Sequence, residues 1–238
     1  KRKLLTAPSS YFIELFVVND EKQCQNAKFP SIPYCTQYLY DLINIVESIY
    51  SRLPSYLGAL HVTLVGMENW DSSTQIGPID GGSSMSHYLS IFTDWAADRM
   101  DNFPYKSDSM HLITGWPLEN PIVGFAWVGT VCSTYATGIE QDTTGSKVFT
   151  AETIAHEMGH NLGASHDGLG NGCSSSGYVM ASSGSVTPSH TSTIQWSSCS
   201  AVYINNEIQT LNSGSSNCLL DTPYLNLAGY GSVGALTL

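Results

Sequence analysis

Three histidines and a glycine, His156, His160, Gly163 and His166, constrain the fold of this chain more than any other feature of its 238 residues. His156 and His160 stand four apart, about 40° around an α-helix, so a helix through them sends both imidazoles off one face. Gly163 is well placed to stop that helix, because glycine readily takes the left-handed conformation that ends one. The chain then turns, and His166 comes back to offer a third nitrogen. Three neutral imidazoles with an open fourth position describe a catalytic zinc site, whereas structural zinc is closed by four protein ligands. Glu157 follows the first histidine and is angled away from the ligand face, which suits a general base that is not itself a ligand. A bare HExxH would arise by chance in about one chain of this composition in a hundred, and requiring Gly163 and His166 lowers that to roughly one in 10⁵.

Around this segment the pattern alternates between strands and helices. Tyr11 to Val18, YFIELFVV, reads as a buried strand ending at Asn19-Asp20, with Glu14 an oddity inside it. Gln37 to Arg52 carries Leu39, Leu42, Ile43, Val46, Ile49 and Tyr50 at helical spacing, and Pro54 lies just beyond. A strand is expected at Leu60 to Val65, a surface loop at Asp71 to Ser84 and a helix at Ser86 to Met100. Met110 to Thr114 and Ile122 to Val131 are of strand type, the latter with Gly124 and Gly129, where other groups can approach the backbone closely. Thr150 to Leu162 is the helix of the histidines, and Ala201 to Leu211 reads as a last helix. His87 and His111 are taken as ordinary surface or core histidines. The segment between Asp167 and Ser200, rich in Gly and Ser, is expected to be irregular. The alternation predicts an α/β fold, a mixed sheet with helices packed on it.

A formal charge of −11 excludes nucleic acid and anionic membranes as partners over most of the surface. No apolar stretch reaches the length of about eighteen residues that spans a bilayer, and the chain reads as a mature, soluble form. Six cysteines, an even number without a CxxC pair, point to three disulfides and an oxidising compartment, their pairing left open by the count alone.

The segment HEMGHNLGASHD, His156 to Asp167, resembles the HExxHxxGxxH zinc motif of the metzincin metallopeptidases, and Tyr178-Val179-Met180-Ala181 resembles their Met-turn. Asp167, directly after the third histidine, resembles the adamalysin or reprolysin branch, the catalytic domains of snake-venom metalloproteinases and ADAM proteases. YFIELFVV, HVTLVGMENW, SMHLITG, IVGFAWVGTVC and IEQD are similar to that branch as well, so the likeness runs from about Tyr11 to Asp221. It implies a single zincin-like catalytic domain. A mixed twisted sheet with packed helices, about 1–163, would sit above a smaller irregular part, about 164–221, with the active-site cleft between them and a tail at 222–238. His156, His160 and His166 would hold zinc, Glu157 would act as base, and Met180, Gly163 and Asp167 would support the site.

The same resemblance pairs Cys132 with Cys218 and Cys173 with Cys199, which leaves Cys24 with Cys35. It also gives Glu14 a role in a calcium site away from the zinc, with Asp108, Asp221 and the Cys218 carbonyl as further hard oxygen ligands. The other reading of Glu14 is a buried glutamate satisfied by local hydrogen bonds.

The function expected is that of a secreted, monomeric, zinc-dependent endopeptidase. Its protein or peptide substrate would lie extended beside the Ile122 to Val128 strand and add to it by main-chain hydrogen bonds. The alternative is a non-catalytic binding module or toxin component of the same fold, whose usual mark is loss of Glu157 or of a ligand histidine. All four residues are present.

Overall fold

The computed structural model describes residues 9–24, 32–70, 84–102, 106–119, 121–142, 146–182, 194–214 and 217–223. The YFIELFVV run forms β1 (Ser10–Asn19) and the next apolar run β2 (Ala59–Asn69). With β3 (Ser109–Thr114), β4 (Gly124–Ala126) and β5 (Thr137–Gln141) they make a five-stranded sheet in the order β2-β1-β3-β5-β4. The first four of these run parallel, and β4 closes the edge antiparallel to β5. A parallel sheet must be covered on both faces, and the near-continuous burial of β1 and β3 reflects that.

Alternate residues of β1 feed the two faces. Tyr11, Ile13, Leu15 and Val17 join one core with α2 (Ile32–Tyr50), α4 (Lys147–Asn161) and α5 (Ser198–Ser213). Phe16 and Val18 join the other core, under α3 (Met85–Ala97). A four-residue turn of helix, α1 (Glu21–Cys24), follows β1. The mixed sheet and its helices agree with the α/β expectation. The disulfides are Cys132–Cys218 and Cys173–Cys199, as the resemblance implied, and Cys24–Cys35, the pair left by elimination. No helix among the described residues is long and apolar enough to cross a membrane.

The differences from the sequence reading are local. β5, which overlaps the IEQD stretch, had no strand signal of its own beyond Ile139. The strand expected over Ile122 to Val131 is confined to Gly124–Ala126, because the chain beyond it bonds elsewhere: Gly129 N donates to His160 O, and Thr130 N and Val131 N donate to Asn161 O. The loop expected from Asp71 lies outside the described residues except for Ser84, which precedes α3. The tail from position 224 lies outside them too.

Candidate metal centre

α4 packs Ala151, Ile154, Ala155 and Met158 into the core, against α2, where Tyr50 Oη donates to Ala155 O at 3.0 Å. Ser146 caps its start by accepting from Phe149 N. At the other end Gly163, at φ +83°, takes the left-handed conformation. Gly163 N donates to His160 O at 2.8 Å and Ala164 N to Gly159 O at 2.9 Å, the paired bonds of a Schellman turn. The turn does more than end the helix. It points Ala164 O at His160 Nδ1, 2.8 Å away, and sends the chain back so that His166 faces the other two rings.

The outcome is a convergence of ring nitrogens. His166 Nε2 lies 3.1 Å from His156 Nε2 and 3.2 Å from His160 Nε2. Nitrogens about 2.05 Å from a tetrahedral zinc would stand about 3.3 Å apart, so the spacing fits that ion. His156 Nδ1 donates to Val179 O at 2.6 Å, as His160 Nδ1 does to Ala164 O. A carbonyl can only accept, so each of these rings carries its proton on Nδ1 and turns the Nε2 lone pair inward. Burial, with the neighbouring imidazoles, holds His156 down to about 3. Burial likewise brings His160 to about 4, and His166 is lowered as well. The triad is therefore neutral at physiological pH, the state a metal needs.

Met180 is fully buried, with its sulfur against α4 at Gly159. Asp167 N donates to Met180 O at 2.8 Å and joins the Met-turn segment in an isolated parallel bridge with Ala181. The Asp167 carboxylate accepts from Ser197 Oγ at 2.5 Å and Ser200 Oγ at 3.2 Å, at the N-terminus of α5, where the helix dipole favours negative charge. His166 is thereby tied to α5 through the residue that follows it.

Glu157 is buried, with its carboxyl raised well above the usual range by desolvation and then by the charge of Glu140. It lies against Gly124 of β4: a Cβ there would fall 2.8 Å from Glu157 Cγ and 2.9 Å from Cδ. The close approach expected at Gly124 is thus made by the Glu157 side chain.

Behind Glu157 is a group that the sequence reading passed over. His111, on β3, and Glu140, on β5, are both fully buried, with Nδ1 and Oε1 2.5 Å apart. His111 Nε2 lies 3.1 Å from Asn161 Oδ1 on α4, and Asn161 Nδ2 donates to Trp127 O at 2.9 Å and Thr137 O at 3.2 Å. This network joins the end of the histidine helix to β3, β5 and the segment after β4. A lone histidine in an apolar strand gave no hint of it, since its partner lies 29 residues away.

The acids expected to bind calcium are drawn into one neighbourhood. Asp108 Oδ2 accepts from Glu14 N at 2.9 Å, and Asp108 N donates to Glu14 O at 2.8 Å. Asp108 is pushed up to about 8 by burial, and the charges of Glu14 and Asp221 add to the rise. Asp221 follows the Cys218–Leu220 turn, and its Oδ2 is 3.7 Å from Lys106 Nζ. Among the described residues, three side-chain ligand atoms come within 4.8 Å of one another only in the histidine triad and in Asp167 with Cys173 and Cys199. The latter cysteines are bonded to each other, so the triad alone offers a metal site of that closeness.

Comparison with known proteins agrees with this geometry. Residues 11–223 match the reprolysin (M12B) family of zinc metalloproteases. The zinc metalloproteinase-disintegrin-like protein atrase-A of Naja atra is 29% identical over 213 residues, which cover 89% of this chain and 32% of that protein. The zinc metalloproteinase-disintegrin-like protein atragin, also of Naja atra, is 32% identical over 158 residues, 66% of this chain and 24% of that one. The chain thus spans a third or less of these relatives. A chain in a solved chaperone–substrate complex shares the fold, with a TM-score of 0.59 at 14% identity, over 85% of this chain and 34% of that one.

Proposed function

Because the chain belongs to the reprolysin (M12B) family of zinc metalloproteases, we propose that it is a secreted endopeptidase that holds zinc on His156, His160 and His166 and uses Glu157 as its base. The observation that carries this reading is the meeting of three Nε2 atoms, two of them aimed by a backbone carbonyl on the far side of the ring. Zinc held by His156, His160 and His166 would supply Lewis acidity, lowering the pKa of water toward about 7 and polarising the scissile carbonyl. Glu157 takes the proton of the attacking water and delivers it to the leaving amine. The substrate adds as an extended strand to β4, the outer strand of the sheet, whose other side pairs with β5.

The parts at about 1–163 and 164–221 would act as one catalytic domain with the cleft between them. Three disulfides suit an extracellular setting. A calcium ion at Glu14, Asp108, Asp221 and the Cys218 carbonyl would stabilise the fold, and the gathered acids with a raised Asp108 support that reading. The test is hydrolysis of an unfolded protein substrate, abolished by a zinc chelator and restored by added zinc. Stoichiometric zinc binding with no cleavage across a broad peptide library would favour the non-catalytic binding module instead.

A further inference from the structure

Glu152 is a largely buried carboxylate on the helix of the histidines. It stands on α4 four residues before His156, so it shares the face that carries the zinc ligands and not the face of Ala151, Ile154, Ala155 and Met158 that enters the core. It lies on the same stripe as Gly159, two turns further along, which packs against Met180 and Trp196. That stripe is the flank of the site opposite Glu157 and Gly124, on the side of the segment whose Val179 carbonyl aims His156.

Glu152 is only 8% exposed, yet no hydrogen bond or ion pair reaches it among the described residues. Its carboxyl is raised to about 7 by desolvation alone. A buried carboxylate is costly unless it is paired, and an apolar residue would serve the packing of this helix better. Two buried carboxylates near this helix have recognisable company: Glu140 has His111, and Asp142 accepts from Gln23 Nε2 and Thr150 Oγ1. The partner that Glu152 lacks among the described residues is a cation, and the helix face it shares with His156 and His160 is the one that bears the candidate metal centre.

We propose that Glu152 forms the acidic wall of a subsite beside the zinc that receives a Lys or Arg side chain flanking the scissile bond. This rests on the endopeptidase reading and adds a substrate class to it. The −11 formal charge of the chain favours the approach of basic substrates. Discrimination follows from the desolvated setting. A basic side chain completes a buried pair, whereas an apolar one leaves the carboxylate buried without a partner.

The test uses the zinc-loaded protein and peptides that are identical except for Arg or Leu at the position on either side of the scissile bond. On one of the two sides, the wild-type protein should cleave the Arg peptide with a kcat/KM about 10- to 100-fold above that of the Leu peptide. Glu152→Leu should reverse the order, losing on Arg and gaining on Leu, and Glu152→Gln should reduce the preference without reversing it. Cleavage by the wild type with no preference for Arg at either position, or a preference that survives in Glu152→Leu, overturns the proposal. Should neither peptide be hydrolysed, the endopeptidase reading falls, and fluorescence anisotropy of a labelled Arg peptide still decides the subsite. Tighter binding to wild type than to Glu152→Leu supports the subsite, and equal binding overturns it.

Discussion

Replacing Gly124 by alanine should disable the base without touching the metal. The new Cβ would lie 2.8 Å from Glu157 Cγ and 2.9 Å from Cδ, inside the 3.4 Å at which ordinary contact begins. The strand is held by its pairing with β5 and the helix by the core, so the carboxylate is what yields, by roughly half an ångström or more. A general base contributes about 10²- to 10⁴-fold, and misplacing a catalytic group by about 1 Å costs on the order of 10² in rate. We therefore expect kcat/KM on an unfolded protein substrate to fall about 10²-fold, with a stability loss of about 1–3 kcal/mol from overpacking. Zinc per molecule, by elemental analysis, should stay at the wild-type value, because the three heavy atoms nearest the new methyl group all belong to Glu157 and none to a ligand histidine. Gly172→Ala, whose Cβ meets nothing within 4 Å, is the control. Full turnover in a folded Gly124→Ala protein would show that the seat of Glu157 described above is not the working one.

Three other outcomes follow from the same geometry. The folded state holds the Asp108 proton up to about pH 8, so the stability linked to that proton is complete below the ordinary carboxylate range and is lost as pH rises through 8; calcium bound at the proposed site would replace the proton, and the rise in Tm on adding calcium to zinc-loaded protein should grow from about pH 5 to 8 and vanish in Glu14→Gln. An equal rise at both pH values, or a full rise in the variant, removes the calcium site. His111→Leu should cost about 3–5 kcal/mol in urea unfolding by stranding Glu140, and most of that should return in the double variant with Glu140→Leu; a loss below about 1 kcal/mol would deny the pair a structural role. His160→Ala should lose zinc and activity together, since two histidines hold the ion far less firmly than three, and retained stoichiometric zinc would contradict the ligand set.

The centre of the site was legible because its chemistry is local. His156, Glu157, His160 and Gly163 act through the 3.6-residue period and one positive φ, and both can be read from spacing. The groups that aim the rings were not legible, because Val179 and Ala164 contribute carbonyls, which every residue has. His111 and Glu140 meet only across the β3–β5 pairing, so no window of sequence contains the pair. The strand after Ile122 was overread for a related reason. An apolar run such as FAWVGTV looks like a ladder, yet its last three amides donate to the last carbonyls of α4, a competition visible only once the helix is in place. Glu14 was legible as an anomaly in β1, and Glu152 was not, because an acid on a helix reads as a solvated face until its burial is known.

The central claim, that the triad binds the metal while Glu157 moves the proton, is tested most directly by Glu157→Gln, with zinc content and turnover measured on the same sample. The account predicts one zinc per molecule, an unchanged melting profile and no measurable cleavage of an unfolded protein substrate. Near-normal turnover, or loss of zinc with the triad intact, would contradict it.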